Sequence, residues 1–168
     1  VTYSTDSPFV YSETFTSGGY GSKLITPNSW PQNLQVGYKV SDQHGWSSYI
    51  MNTYYYGNIQ VANDISPQYG DTYTVTQELN PVTIYFNTGN TDIVDVAVDA
   101  SPEKAAALAV EAGWTWVNND TNETGTVASK TFPANPGHPD NSYVRINLGK
   151  VVNGGSTIGT YTFTPPVT

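Results

Sequence analysis

The most constraining feature of this sequence is an alternation of apolar and polar residues with a period of two, which recurs along most of the chain. Such alternation is typical of β-strands with one buried face, because successive side chains point to opposite faces of a sheet. Clusters of Gly, Asn, Asp, Ser and Pro separate the alternating segments, as turns do. About nine or ten strands can be placed in this way. Their spacing predicts an all-β protein, an antiparallel β-sandwich of the jelly-roll or immunoglobulin-like kind.

The parity of the apolar residues within each strand predicts which side chains fill the core. Residues two apart face the same side of a strand, so a run of alternate apolar residues marks the buried face. On this basis we predict a strand from Leu34 to Val40, and a long aromatic strand from Trp46 to Tyr56 that closes in a turn at Gly57. The predicted core consists of Val36, Tyr38, Val40, Val75, Ile84, Phe86, Val94, Val96, Val98, Ile146, Leu148, Tyr161 and Phe163.

One segment breaks the alternation and predicts a short inserted α-helix over residues 101–112. Ser101 is a favourable N-cap residue, and Pro102 suits the first helical position. An alanine-rich run follows, and Gly113 is a typical residue just past a helix end. Because strands flank this segment on both sides, we expect the helix on the flank of the sandwich.

Charge and composition exclude several classes of partner. The 168 residues include 14 acidic and only 6 basic side chains, for a formal net charge of −8. This balance argues against a nucleic-acid partner and against docking on an anionic membrane face. The chain has no Cys, which excludes disulfides and thiolate metal sites. No apolar run is long enough to predict membrane insertion.

The same composition is typical of a secreted protein. Charged residues make up only 12% of the chain, so Thr, Ser, Asn, Gln and Tyr must supply much of the polar surface. The sequence begins at Val1 rather than at Met. We therefore expect a mature extracellular product whose signal segment has been removed.

No group of residues in the sequence indicates catalysis. The two histidines, His44 and His138, lie in turn or loop segments, where we interpret them as solvated. Glu13 and Glu78 are the only glutamates on predicted strands, and nothing brings them together as a glycosidase pair requires. The sequence contains no nucleophile elbow, phosphate-binding loop or His-Glu-x-x-His motif. We predict a protein that is not an enzyme and needs no cofactor.

Three aspartates are the candidate ligands for a metal ion. Asp92, Asp95 and Asp99 offer carboxylates of the kind that calcium prefers, and Asp95 and Asp99 fall on one face of a predicted strand. Their spacing does not match a calcium-binding loop. We interpret them as a solvated strand face and predict no metal site, with calcium binding left open.

Aromatic residues are the more informative excess, at 13% of the chain. Tyr54, Tyr55 and Tyr56 follow one another on a single strand, and Trp114 and Trp116 share a strand face after the helix. Exposed aromatic rings of this kind can stack on sugar rings. The alternative is that they fill the core or a contact between subunits, where Tyr and Trp are also enriched.

Two consecutive Asn-x-Thr motifs begin at Asn119 and at Asn122, in a polar segment between predicted strands. This motif is the acceptor for N-linked glycans and is used on surface loops. We predict that the segment is exposed, and that it carries one or two glycans if the source makes them.

The N-terminal residues 1–16 form an extended arm ahead of a glycine-rich hinge at Gly18 and Gly19, and residues 17–168 form a single β-sandwich domain. A terminal strand beyond a flexible hinge can pair with a neighbouring molecule and complete its core. Such exchange and folding back onto the same sheet are both open to this arm. The residues predicted to insert into a neighbour are Val1, Tyr3, Phe9 and Tyr11.

This plan of an arm, a β-domain without Cys and a Thr/Asn/Tyr-rich surface resembles secreted filament subunits that assemble by donor-strand complementation. Archaeal thread and bundling-pilus proteins and the TasA/camelysin-type fibres are examples. The resemblance implies a structural homopolymer, an extracellular filament or pilus without an active site. The alternative is a monomeric secreted module that binds carbohydrate or adheres to cell surfaces.

Overall fold

Antiparallel strands and one short helix make up the part of the chain that the computed structural model describes, namely residues 12–19, 21–64, 70–78, 80–134 and 142–166. The first six strands are β1 (Ser12–Thr16), β2 (Leu24–Ile25), β3 (Lys39–Asp42), β4 (Ser47–Tyr55), β5 (Asn58–Val61) and β6 (Thr72–Thr76). The others are β7 (Val82–Phe86), β8 (Thr88–Gly89), β9 (Ile93–Ala97), β10 (Thr115–Asn118), β11 (Thr124–Thr126), β12 (Ser129–Thr131), β13 (Tyr143–Asn147) and β14 (Gly159–Thr164). The helix α1 (Pro102–Ala105) continues as a 3₁₀ turn over Ala106–Ala109. The predicted all-β antiparallel class is confirmed.

The first six strands form a sheet in the order β1-β6-β3-β4-β5-β2 that closes on itself. Its two outer strands meet at a bridge between Ser17 and Pro27. On either side of this bridge, Gly18 N donates to Thr26 O at 2.7 Å and Asn28 N donates to Thr16 O at 2.9 Å. We call this unit the N-terminal barrel. Its interior consists of Phe15, Ile25, Val40, Ile50, Ile59, Val61, Tyr73 and Val75.

The remaining strands form two four-stranded sheets, β11-β10-β14-β7 and β12-β13-β9-β8, which we call the C-terminal sandwich. Two bent segments join the sheets, because each pairs with one sheet at its start and with the other at its end. Residues 82–89 pair first with β14 and then with β9, and residues 124–131 pair first with β10 and then with β13. The sandwich core includes Ile84, Phe86, Val94, Trp116, Val144, Ile146, Leu148, Tyr161 and Phe163.

The helix is shorter than predicted and lies elsewhere. It ends at Ala109 rather than near residue 112, and Val110 returns to extended backbone. In this last turn, the carbonyl of Leu108 accepts a hydrogen bond from Lys130 Nζ at 2.6 Å, so a side chain from outside the helix satisfies it. The helix contacts β4, β7 and β9 with its buried alanines, instead of lying on the flank. It therefore packs between the barrel and the sandwich.

The strand predicted from Leu34 to Val40 forms only from Lys39 onward. Gly37 interrupts it with a φ of +94°, a conformation that favours glycine. A Cβ at this position would lie 2.3 Å from the carbonyl oxygen of Leu108, so only glycine permits this approach of the barrel to the helix. Val36 and Tyr38 are consequently half-buried, whereas every other member of the predicted core is buried.

The structure describes only the last part of the predicted N-terminal arm. Residues 1–11, which include the predicted donor-strand contacts Val1, Tyr3, Phe9 and Tyr11, lie outside the described residues. The rest of the arm is β1, which pairs with β6 of the same chain from Ser12 to Thr16 and buries Phe15. Residues Ser12–Thr16 therefore belong to the barrel, although we assigned them to the arm. Among the described residues, none of the helical segments has the length and apolarity needed to cross a bilayer.

Candidate binding surface

The tip of the β4–β5 hairpin carries three consecutive tyrosines on a rigid turn. Tyr56 and Gly57 both have positive φ, 49° and 83°, as a two-residue hairpin turn requires. Asn58 is buried, and its side-chain nitrogen Nδ2 donates to the backbone carbonyls of Tyr55 and Tyr56 at 3.2 and 3.1 Å. Asn58 Oδ1 also accepts a hydrogen bond from the hydroxyl of Thr26, which ties the tip to the strand β2 region.

Trp30 joins these tyrosines to form an exposed aromatic surface, which we define as Trp30, Tyr54, Tyr55 and Tyr56. Their exposed fractions are 42%, 66%, 39% and 85%. The rings of Trp30 and Tyr54 lie 5.6 Å apart between centroids at an interplanar angle of 34°. Those of Tyr55 and Tyr56 lie 4.7 Å apart, edge to face. The hairpin and the Trp30 segment thus present two pairs of rings to solvent, Trp30 with Tyr54 and Tyr55 with Tyr56.

The segment that carries Trp30 is fixed to strand β1 on both sides of the indole. Before it, Asn28 donates to Thr16 through both its backbone and its side-chain nitrogen, at 2.9 Å each. After it, Gln32 N donates to Glu13 Oε2 at 2.9 Å. Trp30 therefore has little freedom to fold inward, and its position is set by the barrel wall.

The two segments that carry the aromatic surface contain no charged residues. Neither residues 28–33 nor residues 52–58 contain a charged side chain. What the surface offers a ligand is apolar ring faces together with phenol hydroxyls that donate and accept hydrogen bonds. This combination suits an uncharged ligand that has both apolar faces and hydroxyl groups.

Trp114 and Trp116, the other aromatic candidates, are not part of this surface. Both are buried in the sandwich core, and Trp116 is only 1% exposed. Its indole nitrogen donates to Leu148 O at 2.8 Å, and its ring meets Tyr161 edge to face at 5.5 Å. The two tryptophans therefore fill the core, which was the alternative to a sugar-binding role. Trp116 lies on β10, which pairs with β11 on one side and β14 on the other and faces the opposite sheet.

The three candidate metal ligands do not converge. Asp95 is held by Arg145, whose Nε and Nη2 donate at 2.9 and 3.3 Å, and this contact raises the pKa of the guanidinium. Asp99 lies beyond the end of β9, with its carboxylate 4.0 Å from Lys23 Nζ. No three carboxylates or histidines gather anywhere in the described ranges. The expected common strand face of Asp95 and Asp99 is wrong, because β9 ends at Ala97.

The Asn-x-Thr residues lie on the surface but differ in their contacts. The side-chain nitrogen of Asn119 donates to Thr162 Oγ1 at 3.1 Å. Asn122 occupies the left-handed region with a φ of +63°, in a turn closed by its own N–H and the carbonyl of Asn118 at 2.7 Å. Both side chains are exposed. Glycosylation of this segment stays a prediction.

The remaining acid and base candidates have separate environments. Glu78 is buried and accepts a 2.6 Å hydrogen bond from the hydroxyl of Tyr49, whose pKa is raised by burial and by this carboxylate. Glu13 instead binds the Trp30 segment near the surface. His44 is mostly exposed, with Nε2 3.6 Å from Asp71 Oδ1, and His138 lies outside the described residues.

Trp30 is the member of the aromatic surface that the alternation did not reveal, because it belongs to an irregular segment between strands. The available signal was a tryptophan beside Pro31 in a stretch without charge or apolar periodicity. Comparison of the chain with protein-family models, with curated proteins and with solved structures finds no match.

Proposed function

We propose that this protein is a secreted, non-enzymatic adhesion module that binds a neutral polysaccharide through the aromatic surface. The observation that carries the proposal is the exposure of four large aromatic side chains, three at the tip of the β4–β5 hairpin and Trp30 packed against one of them. Contiguous exposed apolar patches on a soluble protein are commonly interaction sites. A fixed array of rings also binds with little loss of conformational entropy.

The choice of a neutral ligand follows from charge. The aromatic surface contributes no charged group of its own, and the whole chain carries a formal charge of −8. A polyanionic ligand would be repelled at long range and would find no cation at the contact. Sugar rings with axial hydrogens supply apolar faces for stacking, and their hydroxyls match the tyrosine hydroxyls.

Depletion of the protein by insoluble polysaccharides tests this function. Cellulose, chitin and starch granules serve as neutral probes, and heparin beads serve as the anionic one. The double variant Tyr54→Ser/Tyr56→Ser is expected to bind about tenfold more weakly, since each stacked ring contributes roughly 0.5–1.5 kcal/mol. Tyr85→Ser is the matched control, because Tyr85 is 45% exposed but lies on β7 of the sandwich.

Binding to a neutral probe should also change little between about 0.05 and 0.5 M salt, because no ion pair contributes to it. Equal depletion of the wild type and the double variant, or retention on heparin alone, would contradict the proposal.

A second candidate function is the filament subunit, an extracellular homopolymer joined by the N-terminal arm. The observation that favours it is the position of β1, the strand that directly follows residues 1–11, as the terminal strand in the order of its sheet, where residues 27–32 rather than a further strand lie beside it. An extended segment from another copy can add to such an edge through backbone hydrogen bonds. Strand β7, at the end of its sheet in the sandwich, is less suitable, because the helix of the same chain already contacts it.

Deletion of residues 1–11 tests the filament function. The truncated protein should lose concentration-dependent polymers in electron microscopy and sedimentation, and a synthetic peptide of residues 1–11 should bind to it. Polymers that form normally without these residues would exclude the arm as the connector.

A further inference from the structure

A cleft opens where the N-terminal barrel meets the segment that leads into α1. Its volume is ≈ 300 Å³, and its walls include Lys23, Trp46 and Asp64 from the barrel and Asp99 and Ser101 from the other side. This cleft does not involve the aromatic surface defined above. Its size is at the lower end of the range found for small-molecule sites, which fits one sugar ring rather than a chain.

The polar groups of the cleft have unused hydrogen-bonding capacity. Lys23 Nζ and Asp99 Oδ2 are 4.0 Å apart, which is too far for a direct hydrogen bond. The hydroxyl oxygen of Ser101 is buried and has no partner among the described residues. The sequence predicts that Ser101 caps the helix, yet its side chain makes no cap hydrogen bond. That hydroxyl has almost no accessible surface, so the groups that the cleft offers a ligand are the ammonium of Lys23 and the carboxylate of Asp99.

Trp46 forms a rigid apolar wall of the same cleft. Its indole nitrogen donates to the carbonyl of Asp64 at 3.0 Å, and its ring packs edge to face against Tyr73 at 6.4 Å. The hydrogen bond and the ring contact both fix the indole in place. Trp46 is half-buried, so part of its side chain stays accessible.

We propose that this cleft binds a single pyranose ring. The sugar ring packs on Trp46, and two neighbouring hydroxyls bridge the ammonium of Lys23 and the carboxylate of Asp99. Hydroxyls suit this set because each can donate to a carboxylate and accept from an ammonium. With two carboxylates and one ammonium the cleft is net negative, which disfavours an anionic ligand. The proposal is independent of the aromatic surface and stands if that surface binds nothing.

Titration with monosaccharides, followed by the indole signals of ¹⁵N-labelled protein, tests the site. Glucose, galactose, mannose and N-acetylglucosamine are added up to about 100 mM, since single-ring ligands bind with millimolar affinity. The variant Trp46→Phe assigns the Trp46 signal. We expect one of these sugars to shift that signal saturably, while the Trp116 signal stays in place.

Two variants keep the test sharp. Asp99→Asn should weaken binding at least threefold, whereas Asp92→Asn, at a half-buried aspartate that does not line the cleft, should leave it unchanged. Tyr54→Ser/Tyr56→Ser should also leave it unchanged, which separates this site from the aromatic surface. Failure of all four sugars to shift the Trp46 signal, or an affinity of Asp99→Asn equal to that of the wild type, would overturn the proposal.

Discussion

The N-terminal barrel and the C-terminal sandwich place aromatic residues of similar sequence context in opposite environments. In the barrel, Tyr54, Tyr55 and Tyr56 end a long strand and lie in solvent, because the hairpin extends beyond the sheet. In the sandwich, Trp114 and Trp116 are covered by the facing sheet. Whether an aromatic residue is a core residue or a surface residue therefore depends on what faces its strand. The strand alternation alone does not contain this information.

The two units are joined through a wall that serves both. Strand β4 points Ile50 into the barrel core and its neighbour Tyr49 into the sandwich core. In β5, Val61 belongs to the barrel core, and Ala62, which follows the strand, belongs to the sandwich core. Alternation normally gives one buried and one solvated face, whereas here both faces are buried over this stretch. We therefore expect the barrel and the sandwich to unfold together.

The largest expected effect comes from removing a sandwich tryptophan. Trp116→Ala should lower the free energy of unfolding by about 3–5 kcal/mol, because it leaves a cavity. It also leaves the Leu148 carbonyl without its hydrogen bond from the indole. Tyr54→Ala in the barrel should change it by no more than about 0.5 kcal/mol, as for other exposed positions. Urea unfolding followed by far-UV circular dichroism measures both. A comparable loss in the two variants would mean that the aromatic surface is structural.

An intermediate effect is expected at the junction of the units, where Glu78 is buried. Its carboxylate accepts from Tyr49 Oη at 2.6 Å and from Asn80 N at 3.0 Å, and Lys39 Nζ lies 3.6 Å away. Tyr49→Phe removes one of these partners and should cost about 1–3 kcal/mol, since the carboxylate stays buried with less compensation.

A double-mutant cycle with Glu78→Gln isolates this contact. The coupling energy should reach at least about 0.5 kcal/mol if Tyr49 and Glu78 interact directly. Tyr85→Phe is the control, because Tyr85 is a strand tyrosine that is 45% exposed rather than buried. Strictly additive effects of Tyr49→Phe and Glu78→Gln would show that the junction is held by packing alone.

The difference between the two units also explains which features the sequence predicts. Alternation identifies strands such as β7, β9 and β14, because each has one face in a core. Alternation does not show which strands share a core. We therefore predicted a single sandwich, whereas the strands enclose two cores, one in the barrel and one in the sandwich. The helix was predicted too long because local propensity favours the alanine run, whereas Lys130 and Gly37 act on Leu108 from distant parts of the chain. Trp30 was missed because its position depends on hydrogen bonds to β1 rather than on periodicity.

The smallest expected effect concerns Tyr73 in the barrel core. Its ring stacks on Phe15 at 5.6 Å, but its hydroxyl is buried with no partner among the described residues. Tyr73→Phe should therefore be neutral or stabilising by up to about 1 kcal/mol, because it removes a desolvated polar group without leaving a cavity. Such a result would distinguish this tyrosine from Tyr49, whose hydroxyl is paired.

The pH dependence of that variant sharpens the contrast. Burial, reinforced by the carboxylates of Asp71 and Asp42, raises the pKa of Tyr73 to about 12, from about 10 in the unfolded chain. The folded state then holds a proton that the unfolded state releases, so this contribution is fully present below pH 10 and is lost as pH rises towards 12. Unfolding in urea at about pH 8 and pH 11 should consequently show a smaller loss of stability for Tyr73→Phe than for the wild type. Equal losses in the two proteins would mean that the hydroxyl of Tyr73 reaches solvent, and that the barrel is more open than its closed sheet implies.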